Sequence, residues 1–283
     1  MKLIRFGEPG KEKPGLMIND NWYDVSSIVK DYNEEFFAGN GLSYLRSMID
    51  TVSLPSVSKN TRLGSAVARP SKIICIGLNY SDHAAESKMQ LPSEPVIFFK
   101  ASSALAGPND DLIIPQNSLK TDWEVELAIV IGKKASYIEE KDASEYIAGY
   151  VLHNDYSERE FQLERQGQWS KGKSCDTFAP FGPWLATTEE IPDIDNCRLW
   201  LTVNGKMMQD SNTGNMVYKV PFLIAYISRF MSLLPGDIIS TGTPAGVGMG
   251  QQPQPVYIKP GDVIESGIDG LGSGKQKAVA WKR

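Results

Sequence analysis

Long apolar runs are missing from this chain. Its apolar stretches, such as residues 73–76 and 127–131, are a fraction of what a bilayer span requires, so no membrane partner is expected. Runs of lysine and arginine are missing too. The 29 basic residues face 34 acidic ones, for a net charge of -5 and a pI near 5.3, which leaves no basic face for a nucleic-acid partner. Only three cysteines occur, Cys75, Cys175 and Cys197, an odd number without metal-like spacing, as fits reduced thiols. The first residues reach a turn at Pro9 and Gly10 before a signal-peptide core can form, and a cytoplasmic protein is expected. Histidine is scarcer still: His83 and His153 are the only two, so any imidazole acid or base must be one of them.

What is present describes a globular chain. With 283 residues, 41% hydrophobic and 22% charged, a sizeable core is affordable. Residues 2–6, 15–18 and 22–25 read as short strands and 31–48 as helical, and a Ser/Pro/Asn/Gly stretch at 51–70 reads as a linker. This predicts a small N-terminal α/β domain over 1–65 and a catalytic domain over 66–283. The second part alternates strands (72–77, 96–100, 124–131, 148–154, 199–203, 237–241, 262–266) with two helices, 157–166 and 220–231. The expected class is therefore mostly antiparallel β with some α, an α+β protein. Pro235-Gly236-Asp237 recurs as Pro260-Gly261-Asp262, a repeated turn that reads as scaffolding.

The chemistry concentrates in a few segments. In the strand at 124–131, Trp123, Val125, Leu127, Ile129 and Ile131 share an apolar face, while Glu124, Glu126, Ala128 and Val130 share the other. A half-exposed strand accounts for the glutamates, but that face turns apolar beyond them, and two partly buried carboxylates call for a proton or a cation. A hard divalent ion needs further oxygen ligands, and Asp155 ends the next strand. Asp155 equally suits a helix N-cap, with Glu158 completing a capping box, and Arg159 and Gln162 then lie on one helical face. His83 and Glu86 fall three apart on a short predicted helix, whereas His153 sits in an apolar strand and reads as core. The glycine-rich residues 240–250 lack the Lys and the following helix of a phosphate loop, but their amides and a threonine hydroxyl suit a substrate carboxylate. Lys100 and Lys173 are either solvated or aimed into a site, where an ammonium stabilises an oxyanion.

Taken in order, Gly77-Leu78-Asn79-Tyr80 with His83 and Glu86, Glu94-Pro95 to Lys100, Glu124-x-Glu126, Asp155 with Arg159 and Gln162, Lys173-Ser174 and Thr241-Gly242-Thr243-Pro244 resemble the fumarylacetoacetate hydrolase family over residues 70–270. The resemblance implies a mixed β-sandwich roll, usually a homodimer, with Mg²⁺ (or Mn²⁺ or Ca²⁺) held by Glu124, Glu126 and Asp155. It implies that His83 and Glu86 lie in a lid, around residues 81–92, and activate water. Lys173, Gln162 and Arg159 would contact substrate and oxyanion, and Thr243 the substrate's carboxylate end; Lys100 is grouped with these substrate contacts. The long eukaryotic enzyme of the family has an aspartate ligand where this chain has Asn79, a place a water would fill. The segments at 166–177 and 246–250 look most like hydrolases of 2,4-diketo-3-deoxy-rhamnonate or -fuconate, and similar sequences carry the name ureidoglycolate lyase.

The implied activity is metal-dependent hydrolysis of a C–C bond in a small 2,4-dioxo acid, giving pyruvate and a carboxylic acid. The alternative is oxaloacetate decarboxylation, or 2-oxo acid isomerisation or lysis, on the same metal site. A non-catalytic calcium-binding protein is the rival from another class, and the His83/Glu86 pair argues against it.

Overall fold

The computed structural model describes residues 1–82 and 92–282. The architecture follows from one long strand that is buried on both faces. Val125–Ile131 has every residue buried, with Val125, Leu127, Ile129 and Ile131 in one core and Ala128 and Val130 in another, so the alternation read from the sequence separates two cores. It lies inside a ten-stranded sheet. From one edge the order is Ser56–Val57, Asn21–Asp24, Lys13–Ile18, Lys2–Phe6, Leu185–Thr187, Ile147–Asn154, Val125–Ile131, Ile238–Ser240, Ile73–Gly77 and Val96–Lys100. Neighbours are antiparallel except Ile238–Ser240 and Ile73–Gly77, which run parallel. A five-stranded sheet, in the order Lys206–Asn212, Arg198–Val203, Val263–Ile268, Gly272–Ala280 and Leu112–Ile114, closes over the first core together with the helix Val220–Ile227. This is the expected α+β, mostly β class. No helix among the described residues is long and apolar enough to cross a membrane.

The N-terminal 65 residues join the large sheet. Lys2–Phe6 pairs with Leu185–Thr187, and Leu3, Leu16, Phe36, Phe37 and Leu45 share the second core with Ile73, Cys75, Ala128, Val130 and Ile238. One core cluster thus contains residues from both sides of the expected division at residue 65, and the few strands of the first 65 residues bury their apolar side in it. The helix predicted over 31–48 is two, Glu34–Ala38 and Gly41–Met48, interrupted where Asn40 takes a left-handed conformation at φ 55°. Residues 157–166 depart further from expectation. Ser157–Glu158 pairs as a strand with Thr121–Asp122, and only Glu160–Glu164 turns, as a π-helix. Both Pro-Gly pairs are turns with a left-handed glycine, Gly236 at φ 84° and Gly261 at φ 101°, and the aspartate that follows each bonds back to the residue before its proline.

Truncating Leu3, which has no exposed surface, is expected to cost about 2–5 kcal/mol and to lower a single thermal unfolding transition of the whole chain. Two separate transitions, only one of them shifted, would show the first 65 residues to be an independent unit.

Candidate metal centre and substrate cavity

The site forms where the ladder between Val125–Ile131 and Ile147–Asn154 gives way to the short pair Thr121–Asp122 and Ser157–Glu158. Between the two ladders the Asp155 N–H donates to the Glu124 carbonyl (2.8 Å), and the Glu124 N–H to Asn154 Oδ1 (2.9 Å). This break brings Asp155 beside the glutamates of the neighbouring strand. Glu124, Glu126 and Asp155 are buried, and one oxygen of each lies within 4.8 Å of the others. The half-exposed reading of Glu124 and Glu126 does not hold. Nor is Asp155 a helix cap. Its carboxylate accepts from Lys100 Nζ (2.5 Å) and Lys173 Nζ (2.8 Å), and Glu158 accepts from Ser118, Thr121 and the amides of Lys120 and Glu160.

Cations complete the cluster. Lys173 Nζ lies between Glu124 Oε2 (2.6 Å) and Asp155 Oδ2 (2.8 Å) and over the Phe98 ring. Gly172 lets that turn close up, since a Cβ there would stand 2.4 Å from the Glu158 carbonyl oxygen. Arg159 donates to Asp122 (2.8 Å), to Glu124 (2.7 Å) and to Gln162 Oε1 (3.0 Å), which leaves the Gln162 NH₂ as its donor end. Burial opposes charge on Lys173, but Asp155 and Glu124 outweigh it and hold its pKa above the ordinary value. For Asp155, burial is likewise outweighed, by Lys100 and Lys173, and the carboxyl stays well below the usual carboxylate range. Glu126 is the exception. Burial, reinforced by the charges of Asp155 and Glu124, raises its pKa well above 4.5, and its hydrogen-bond partners are neutral: the Ser240 hydroxyl (2.5 Å) and the Gly242 N–H (2.9 Å).

These observations test whether a divalent ion fits. Three converging carboxylates are the donor set of a hard cation, and Glu126 is a buried carboxylate that no cation reaches among the described residues. The residues fit. Glu124, Glu126 and Asp155 would hold the ion.

A cavity of about 180 Å³ opens onto this cluster. Glu124, Glu126, Arg159, Gln162, Lys173 and Thr243 form its polar part, and Ile76, Phe98, Leu163, Trp169 and Met249 its apolar wall. The structure thus brings together most of the residues singled out in the sequence, but not all. Lys100 does not line the cavity: its side chain is fully buried behind Asp155, where it also donates to the Tyr156 carbonyl. Thr243 lines the cavity, yet its hydroxyl donates to the Val125 carbonyl and accepts from Gln209. The loop amides expected to cradle a carboxylate are also engaged, Gly242 by Glu126 and Gly248 and Met249 by Asp122. Asn79 is turned to the backbone, donating to the Tyr218 and Thr241 carbonyls and accepting from the Tyr218 N–H. His83 and Glu86, with most of the expected lid, lie outside the described residues. Asp122 and Ser240 escaped the sequence reading. Asp122 carried a signal, an acidic residue in phase with Glu124 and Glu126.

Exchanging Glu126 for Gln keeps its shape but removes the uncompensated charge. Calorimetry with Mg²⁺ or Mn²⁺ is expected to show at least a tenfold loss of affinity in that variant, with the thermal midpoint of the metal-free protein unchanged or raised. Affinity equal to that of the unaltered protein would remove Glu126 from the ligand set.

The whole chain has relatives. Residues 72–279 match the family model described as fumarylacetoacetate (FAA) hydrolase, C-terminal. A protein of Burkholderia multivorans, named provisionally as a hydrolase, is 52% identical over 273 residues, 96% of either chain. Among solved structures, the fumarylacetoacetate hydrolase of Exiguobacterium antarcticum superimposes with a TM-score of 0.86 at 34% identity, over 99% of this chain and 100% of that one. The maleylpyruvate hydrolase of Sphingobium sp. SYK-6, in complex with manganese(II) and pyruvate, does so with a TM-score of 0.81 at 29% identity over the full length of both. The carboxylate triad, its cations and these matches together identify the chain as a member of the fumarylacetoacetate hydrolase family.

Proposed function

We propose that the protein is a divalent-metal-dependent hydrolase that cleaves a C–C bond in a small 2,4-dioxo acid, releasing pyruvate and a carboxylic acid. The observation that carries the reading is the buried triad of Glu124, Glu126 and Asp155 on the polar side of a cavity into which Lys173 and Arg159 also face. The manganese and pyruvate bound by the Sphingobium relative support it. An ion held by Glu124, Glu126 and Asp155 would supply Lewis-acid charge for a 2-oxo acid.

The chain's own residues supply the rest. Water adds to the C4 carbonyl, the C3–C4 bond breaks with its electron pair going to C3, and that carbon is then protonated, so that R–CO–CH₂–CO–COO⁻ and H₂O become R–COO⁻, H⁺ and CH₃–CO–COO⁻. Lys173, held protonated by Glu124 and Asp155, is a fixed positive charge for the oxyanion that forms at C4, and the Gln162 NH₂ is a second donor. Arg159 locks Gln162 and Glu124 in place. The water needs a base. His153 cannot serve, since it is sealed behind Ser240 and burial pushes its pKa down to about 3. We therefore assign the role to His83, the one other imidazole of the chain, supported by Glu86. The apolar wall of Phe98, Leu163 and Trp169 excludes bulk water from the leaving carbanion. We place the enzyme in the cytoplasm, as a homodimer.

Pyruvate release from a panel of 2,4-dioxo acids with Mg²⁺ tests the reading. Exchanging His83 for Ala is expected to slow it roughly 10²- to 10⁴-fold. Oxaloacetate decarboxylation, which needs no attacking water, is expected to suffer less. An unaltered protein that consumes oxaloacetate or isomerises 2-oxo acids while leaving every dioxo acid intact would overturn the hydrolase assignment.

A further inference from the structure

His153 is joined to Glu126 by one intervening hydroxyl. Glu126 and His153 are direct cross-strand partners, and both side chains meet Ser240 of the next strand along. Glu126 Oε2 accepts from the Gly242 N–H (2.9 Å) and from the Ser240 hydroxyl (2.5 Å). When Glu126 is ionised, as it is on holding a cation, the one proton of Ser240 goes to Glu126 and Ser240 Oγ accepts from His153 Nδ1, 2.6 Å away. Nδ1 then carries the imidazole proton.

Nε2 is buried and has no hydrogen-bond partner among the described residues, and the same holds for the neighbouring Asn154 Nδ2. Such groups are costly to leave unmet. Consecutive strand residues point to opposite faces of the sheet, so His153 turns its ring to the face of Glu126 and Asn154 its amide to the other. Asn154 also stands behind the metal site, because its Oδ1 accepts from the Glu124 N–H.

We propose that His153 is a positioning residue for the metal ligand Glu126, acting through the Ser240 hydroxyl. The device orients a ligand and touches no substrate, so it stands whichever reaction the cavity performs.

The Mg²⁺-loaded protein gives the first test. Nitrogen-15 NMR of the imidazoles, with H83N identifying the second histidine, is expected to show His153 protonated at Nδ1 only; an Nε2–H tautomer overturns the proposal. Mn²⁺ titration followed by electron paramagnetic resonance gives the second. An asparagine at position 153 keeps a donor close to Nδ1, whereas glutamine or leucine does not. H153N is expected to retain Mn²⁺ affinity within about threefold, while H153L, H153Q and S240A each lose about 10- to 100-fold, and S240A/H153L loses no more than either single variant. Equal losses in H153N and H153L, or additive losses in the double variant, mean that His153 merely fills space. Should H153L fail to fold, S240A against H153N makes the same distinction.

Discussion

Four carboxylates, Asp122, Glu124, Glu126 and Asp155, are sealed beside three cations, Lys100, Arg159 and Lys173, at the end of one buried strand pair, and the rest of the site follows from that packing. An unpaired buried charge is costly, and breaking one such ion pair costs roughly 3–5 kcal/mol. Pairing also fixes positions. Arg159 ties Asp122 to Glu124, and Lys173 ties Glu124 to Asp155, so the two strand ends are clamped by ion pairs at the point where their ladder is interrupted.

The same clamp reaches the loops. Asp122 accepts the amides of Gly248 and Met249 as well as Arg159, so the glycine-rich segment is anchored to the residue that orients Arg159. This gives the glycines a role that nothing in a motif search would assign. They let backbone amides approach a buried carboxylate belonging to the protein itself, in place of a ligand's. Trp169 and Phe98, packed edge to face at 5.2 Å, then place an apolar wall against the charged cluster and keep its local dielectric low.

The strands that build the site were legible because their alternation is strict. Phase alone placed Glu124 and Glu126 on one face and Trp123, Val125 and Leu127 on the other, and both cores respect that division. The segment after Asp155 was not legible. Asp at a strand end followed by Glu three residues on satisfies helix-capping rules, but here Ser157–Glu158 found a strand partner in Thr121–Asp122 some 35 residues away, a long-range pairing that no local rule detects. Lys100 and Lys173 illustrate the same limit. Sequence offered both as candidates for an oxyanion, and only the fold shows that Lys100 lies behind Asp155 while Lys173 faces the cavity. Ser240 was invisible for a further reason, since its role exists only between two other strands.

The charge balance of the described residues explains why this cluster suits a metal and an anion together. Three basic side chains against four carboxylates leave one negative charge in excess, and the carboxylate without a cation partner among the described residues is Glu126, whose pKa burial raises. A proton on Glu126 neutralises the cluster. A divalent ion in place of that proton would turn the excess of one negative charge into an excess of one positive charge, which a single anionic group would neutralise. The three cations are therefore best understood as the counter-charge that allows three ligand carboxylates to be buried at all.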